Sequence, residues 1–323
     1  MKTALITGIN GQDGSYLAEF LLEQGYDVHG IVKRNSIPEN QTARIQSIWH
    51  RIKHNLYHAD MCDMSSLLSV INRVQPDEIY NLAAQSHVRI SFDLPIYTLD
   101  VVGKGVLNLL EVLRHTGVNA KLYQASSSEM FGNSIDLDGY QRETTPMNPA
   151  SPYACSKLLS YNLIKCYRES YGMFASNGIL FNHESPRRGV NFVTNKVAMG
   201  AVKIKKGLET ELIMGNLDST RDWGHAKDYV KIMWQILQLD SPDDFVCATG
   251  KSYSVRYLCE YTFGKLGMDY KEYVKQDPRF FRPNELHNLR GCTKKLQSKI
   301  DLKFDYTFPS IMDEMIEYWS KKL

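Results

Sequence analysis

Thr3-Ala4-Leu5-Ile6-Thr7-Gly8-Ile9-Asn10-Gly11-Gln12-Asp13-Gly14-Ser15-Tyr16-Leu17 lies at the start of the chain and decides how the rest is read. Residues 3–7 are apolar and β-favouring, so they predict a strand that stops at Gly8. Beyond Gly14, Tyr16, Leu17, Phe20 and Leu21 recur at helical spacing, and Asp27–Val32 reads as a second strand. The result is a βαβ unit with glycines at its first turn. Gly8 permits the tight turn, Gly11 the close approach of a pyrophosphate, and Gly14 close packing of helix on strand. The helix N-terminus adds N–H groups and a positive dipole end, so residues 8–14 predict a dinucleotide cradle.

Working outward, an NAD site usually places an acid after the second strand to bind the ribose 2′-hydroxyl. Here Lys33-Arg34-Asn35-Ser36 offers cations and donors, which favours NADP over two bases that merely face solvent. Residues 56–59 predict a third strand whose end, Asp60-Met61, meets an adenine edge. A fourth, 79–82, runs into the small residues Ala83-Ala84-Gln85-Ser86. A helix over 99–115, a strand over 121–125, a helix over 153–170 and a strand over 174–181 continue the alternation. That order is the signature of an α/β, doubly wound parallel sheet of Rossmann type. After 181 the pattern becomes polar and turn-rich. Residues 226–239 are again helical and 245–249 could return to the sheet. The expected division is 1–181 plus about 226–250 for the dinucleotide, and about 182–225 plus 251–323 for a smaller, discontinuous substrate domain.

Composition narrows the class. With 323 residues, 43% hydrophobic, 23% charged and a net charge of +2, the chain reads as a soluble globular protein without a basic face for nucleic acid. No apolar run approaches the ~18 residues of a membrane span, and the opening run is too short for a secretory leader. Six dispersed cysteines without C-x-x-C spacing suit reduced thiols in the cytoplasm and suggest no metal site.

The chemistry sits in Gln124-Ala125-Ser126-Ser127-Ser128-Glu129 and Tyr153-Ala154-Cys155-Ser156-Lys157. Tyr153 and Lys157, four apart, share one helix face. The ammonium is expected to favour the phenolate, so Tyr153 can take a hydroxyl proton near neutral pH while hydride leaves to nicotinamide. Ser-x-x-Glu is also a capping box, so Glu129 has a bland reading as a helix cap. Against it, a carboxylate at the ligand edge of the sheet is costly unless it acts, and simple alcohol oxidation needs no second base.

The glycine string, Tyr-x-x-x-Lys and split C-terminal region resemble the extended short-chain dehydrogenase/reductase superfamily. More narrowly, residues 8–17, Asn81-Leu82-Ala83-Ala84-Gln85-Ser86-His87-Val88, the run 178–189 containing Asn182-His183-Glu184-Ser185-Pro186-Arg187-Arg188-Gly189, and Arg221-Asp222-Trp223-Gly224-His225-Ala226-Lys227-Asp228 resemble the GDP-mannose 4,6-dehydratase family. The resemblance implies oxidation of GDP-mannose at C4 by bound NADP, elimination of water across C5 and C6, and hydride return to C6. Tyr153 with Lys157 would serve the redox step, and Glu129 with Ser127 the elimination. It further implies that Gly8, Asn10, Gly11, Gln12, Asp13, Gly14, Arg34, Asp60, Met61, Leu82, Ala83, Ala84, Ser86, Tyr97, Lys157, His183 and Arg188 hold NADP. Asn182, Lys196, Arg221, Arg282 and Glu285 would hold GDP-mannose, and the chain would form a homodimer or homotetramer.

The pattern departs from the family in three places. The family usually has threonine where Ser127 stands, the segment 33–45 matches only part of a loop that meets a neighbouring subunit, and His287-Asn288-Leu289-Arg290-Gly291 is altered. Rival readings are a nucleotide-sugar epimerase or 4-keto reductase, the same dehydratase with an added NADPH-dependent reductase activity, and a non-catalytic NADP-binding regulator. An epimerase needs no C5 base, and a regulator has no need of Tyr153, Lys157 and Glu129 together.

Overall fold

The computed structural model describes residues 1–34, 41–281 and 284–323. Seven parallel strands form the central sheet: β1 (Thr3–Thr7), β2 (Asp27–Val32), β3 (Leu56–His58), β4 (Glu78–Asn81), β5 (Lys121–Ser127), β6 (Ala175–Leu180) and β10 (Asp244–Cys247). Their spatial order is β10-β6-β5-β4-β1-β2-β3. The order reverses between β1 and β4, both of which run parallel to their neighbours, and a sheet of this kind opens a crevice at that switch point.

Both sheet faces are covered, which is why the strands read as continuous apolar runs. On one face the helices Gln12–Glu23 and Ala226–Gln238 bring Leu17, Leu21, Tyr229, Met233 and Ile236 onto the sheet. On the other, the helices Met64–Val74, Gly105–Thr116 and Pro152–Tyr171 contribute Leu67, Ile71, Leu109, Leu113 and Ile164. Each fully buried leucine or isoleucine of this kind is worth roughly 2 kcal/mol of apolar burial.

One row across the sheet is polar. Thr7, Asn81, Gln124, Asn177 and Asp244 occupy matching register positions on β1, β4, β5, β6 and β10. Thr7 Oγ1 donates to Asn81 Oδ1 at 2.6 Å, Asn81 Nδ2 to Gln124 Oε1 at 2.7 Å, and Asn177 Nδ2 to Asp244 Oδ1 at 2.8 Å. Thr7 Oγ1 also accepts from the N–H groups of Leu82 and Ala83, both at 3.0 Å, which fixes the turn after β4. The row ends on a buried ion pair between Asp244 and Arg168 at 3.0 Å. Buried polar groups persist only when bonded in this way.

The remaining strands build the second lobe. Thr220–His225 (β9) pairs with Asn182–Glu184 (β7), Ser252–Ser254 (β11) and Asn288–Leu289 (β13), while Leu212–Met214 (β8) pairs with Val274–Gln276 (β12). The helices Val193–Lys205, Val255–Lys265 and Phe308–Lys322 enclose a separate core around Phe263, Met312 and Trp223. Residues 220–225 look like loop in sequence because they are polar. They form a strand because the charged side chains have partners: Asp222 accepts from Thr249 N at 2.9 Å and Gly250 N at 2.8 Å, and Arg221 Nη1 donates to Leu286 O at 3.1 Å. Four donors do not offset its burial, which pushes the Asp222 carboxyl up to about 6.

Among the described residues no helix is long and apolar enough to cross a membrane, and no group of three His, Cys, Asp or Glu side chains is placed to hold a metal.

Candidate active site

The glycine turn after β1 lies at the switch point and is sterically closed to side chains. Gly8 has φ +69°, a left-handed conformation that favours glycine, and a Cβ on Gly14 would stand 2.3 Å from Gly8 O and 2.7 Å from Ile9 Cα. Gly11 caps the helix Gln12–Glu23 without any side-chain hydrogen bond, so the first N–H groups are left for a ligand. Gly8, Asn10, Gly11, Gln12, Asp13 and Gly14 all line a cavity of about 600 Å³ between the lobes.

β5 and the helix Pro152–Tyr171 deliver the reactive groups to the same cavity. β5 ends at Ser127, whose hydroxyl caps the following short turn by accepting from Glu129 N at 3.3 Å. The cap is Ser127 and not a Ser126–Glu129 box, and the Glu129 side chain is buried and lines the cavity. Ser151 caps the long helix, on which Tyr153 and Lys157, one turn apart, face inward, both buried.

The expectation that Lys157 draws the Tyr153 phenol towards neutrality is not met in this state. Burial pushes the phenol up to about 12, a bond with Ser127 drawing it down and the charge of Glu129 adding to the rise. Lys157 Nζ instead donates to the carbonyl of Ala125 at 2.6 Å and lies 5.8 Å from the Tyr153 ring centre. Burial brings the Lys157 ammonium down to about 8.

Around the cradle, His183 lies 2.8 Å from Asp13, and Arg188 Nε lies 3.2 Å from Glu184. Leu82, Ala83, Ala84 and Ser86 line the cavity from the turn after β4, and Asp60, Met61 and Tyr97 from the β3 side. Lys33 Nζ joins that side by contacting Asp60 at 3.0 Å and the Tyr97 hydroxyl at 2.8 Å. Burial opposes it, but the N–H of Cys62 and the Lys33 ammonium hold the Asp60 carboxyl below its ordinary value. Arg34 is exposed and outside the cavity lining, which Lys33 enters in its place because alternation along the strand end turns the two side chains apart.

At the far end Asn182, Lys196, Arg221 and Glu285 line the same cavity. Arg221 is buried, 3.8 Å from Glu285, and Lys196 donates to Ile213 O at 2.6 Å, with burial lowering its ammonium. Arg282 lies outside the described residues. Sequence reasoning missed the cavity-lining His87, Arg89, Phe192 and Phe280. His87 and Phe192 have ring centres 5.1 Å apart, and Phe280 packs under Lys196 at 4.8 Å. Only the position of His87 directly after the small-residue turn could have signalled any of them.

The sequence profile described as "GDP-mannose 4,6 dehydratase" matches residues 5–315. The chain belongs to the GDP-mannose 4,6-dehydratase family. It is 50% identical to "GDP-mannose 4,6 dehydratase 2" of Arabidopsis thaliana over 98% of this chain and 86% of that protein. It is 47% identical to the GDP-mannose 4,6-dehydratase of Yersinia enterocolitica, covering 98% of this chain and 93% of the relative. The human GDP-mannose 4,6 dehydratase is also 47% identical, with 98% and 90% covered. Among solved structures, dTDP-glucose 4,6-dehydratase from Bacillus anthracis in complex with NAD superposes with TM-score 0.85 at 21% identity, covering 99% of this chain and 97% of that one. RMD from Pseudomonas aeruginosa complexed with NADPH gives 0.82 at 22%, covering 99% and 100%. At such identities these two structures speak for the fold alone.

Proposed function

We propose that the cavity dehydrates GDP-D-mannose to GDP-4-dehydro-6-deoxy-D-mannose, as a hydro-lyase of its family. The observation that carries this is the convergence of a carboxylate, Glu129, and a phenol, Tyr153, on one cavity that also contains the glycine cradle. The closed space at Gly14 and the uncapped helix start fit a dinucleotide pyrophosphate. A nicotinamide dinucleotide bound there supplies the acceptor and donor of hydride, and in its oxidised form a positive charge that favours the phenolate.

Tyr153 takes the proton of the C4 hydroxyl, with Ser127 bonded to the phenol and Lys157 behind the ring. The resulting 4-ketone acidifies C5, and Glu129 removes that proton. Glu129 then returns it to the C6 oxygen, which departs as water. Glu129 thus ends as a carboxylate, and the proton that Tyr153 took from the C4 hydroxyl would be delivered to C5 as C6 is reduced, so both groups are restored for the next cycle.

For the dinucleotide we assign NADP. No acid follows β2, and Lys33 enters the cavity with Asp60 already neutralised beside it. Lys196 and Arg221 suit a pyrophosphate, and Glu285 suits hydroxyls or guanine N–H groups. Residues 1–181 with about 226–250 then hold the dinucleotide, and about 182–225 with 251–323 the nucleotide sugar. Leu99, Leu159 and Tyr171, large exposed apolar residues on the faces formed by 99–116 and 152–171, support self-association as a dimer or tetramer. The free cysteines suit the cytoplasm.

The test incubates the protein and bound NADP with GDP-mannose without added reductant, and follows mass. Loss of one water supports the proposal, and an unchanged substrate with dinucleotide bound would end it.

A further inference from the structure

Both ring nitrogens of His183 face atoms that can only accept hydrogen bonds. Nδ1 is 2.8 Å from the carbonyl oxygen of Phe181, and Nε2 is 2.8 Å from Asp13 Oδ2. A neutral imidazole has a single N–H and would set a lone pair against a lone pair at one of these contacts, whereas an imidazolium donates to both. The ring is buried and lies flat on Tyr229, with centres 4.5 Å apart at 20°. The backbone is fixed too, because Gln12 Nε2 donates to His183 O at 3.1 Å.

We infer that Asp13 holds His183 as a standing imidazolium, and so serves the dinucleotide cradle as a positioning residue for a buried cation and not through a contact of its own carboxylate. The inference deepens the dinucleotide reading and rests on it for its effect on affinity, while the protonation state of His183 stands without it.

The surrounding charges agree. Burial favours the neutral ring and Arg188 repels the cation, but Asp13 and the Phe181 carbonyl outweigh both and raise the histidine above its ordinary value. The partner responds in kind: burial pushes the Asp13 carboxyl up, yet His183, with Gln12 and Arg188 assisting, brings it below its ordinary value. From the helix Ala226–Gln238 the facing group is the Tyr229 phenol, which burial keeps protonated. On β7 the adjacent Glu184 is engaged by Arg188 and Thr194. From β5 and the helix Pro152–Tyr171, Tyr123, Tyr153 and Lys157 feel the Asp13 charge.

With both N–H groups committed, His183 offers a ligand its charge and ring surface, and no hydrogen-bond donor. Glutamine or asparagine at 183 therefore lacks the feature that matters.

The test uses the full-length protein labelled with 15N-histidine, the His183 signals being assigned by their loss in His183→Gln and by contact with the Tyr229 ring. Both nitrogens are expected to stay protonated from about pH 6 to about pH 8, where an ordinary histidine has lost its charge. Asp13→Asn should return the ring to ordinary titration. The same variant should bind NADP⁺ more tightly at about pH 6 than at about pH 8 by roughly fivefold beyond the wild-type ratio, the effect of one unit charge near a phosphate. A neutral His183 in the wild type at about pH 8 overturns the inference, and that measurement stands even if Asp13→Asn does not fold. An unchanged titration in Asp13→Asn also overturns it. A pH-independent NADP⁺ ratio alongside the expected spectra overturns the link to the dinucleotide alone.

Discussion

Lys157 Nζ donates to the carbonyl oxygen of Ala125 at 2.6 Å, so the lysine is anchored to the strand that bears Ser127 as well as to the helix that bears Tyr153. It is nonetheless a buried cation, supported among the described residues by the charge of Asp13. Its folded value, about 8, lies below the ordinary 10.5, so between those limits the unfolded chain holds a proton that the folded one lacks. Stability therefore rises with pH through that window, and below it the fold carries the cost of the charge. Lys157→Met should stabilise the protein at neutral pH by an amount on the order of 3 kcal/mol while abolishing turnover. Urea unfolding at several pH values checks this, and a variant less stable than wild type at neutral pH would contradict it.

Glu129→Gln separates the two halves of the reaction. The amide cannot take the C5 proton, so water loss should fall by about a thousandfold, within the range of a positioned general base. In the proposed mechanism oxidation at C4 does not involve Glu129, so reduced dinucleotide should accumulate in a single turnover and be visible by its absorbance. Full turnover by the variant would remove Glu129 from the mechanism.

Ser127 both caps the turn at Glu129 and bonds the Tyr153 phenol. Ser127→Ala should cut kcat by roughly tenfold, the worth of a hydrogen bond to a group that becomes charged. It should also move the alkaline requirement for activity upward, because the bond that draws the phenol down is gone. Ser127→Thr keeps the hydroxyl and should retain a wild-type pH profile. Equal profiles for the alanine and threonine variants would show that the bond has no part in ionising Tyr153.

Gly14→Ala tests the cradle by volume alone. Its Cβ would meet main-chain atoms of Gly8 and Ile9, which cannot rotate away as a side chain can. The backbone must shift, at about 1–3 kcal/mol. The urea midpoint should fall and NADP affinity with it, whereas a variant with both properties intact would show that the turn tolerates a side chain.

The legible parts of the molecule were those where local chemistry and tertiary role agree. β1 and the helix after it announce themselves through apolar spacing and glycines, and Tyr153 with Lys157 through helical spacing and position. What was hidden is polar and buried. Thr7, Asn81 and Gln124 fall within the expected strands, but nothing local shows that they bond one another, since the partners that satisfy them come from other strands. β9 reads as a polar run in sequence for the same reason, its partners lying as far away as Gly291. Arg34 and Lys33 are adjacent in a charged run, and only the strand's direction decides which one turns inward.

The order of strands carries a last consequence. β10 closes the central sheet beside β6, yet the chain between them, residues 181–243, first builds β7, β8 and β9 of the other lobe. Phe181 and Val246 then pack with Leu286 and Leu289 in one apolar cluster that spans the joint. A nascent chain that ends before β10 has an open sheet edge and an unfinished joint, so the lobe built on the seven-stranded sheet is completed only after β7, β8 and β9 of the other lobe have been made. The two halves are separate workplaces within one cooperative folding unit, and thermal unfolding monitored at the backbone and at the aromatic side chains should trace a single, coincident transition.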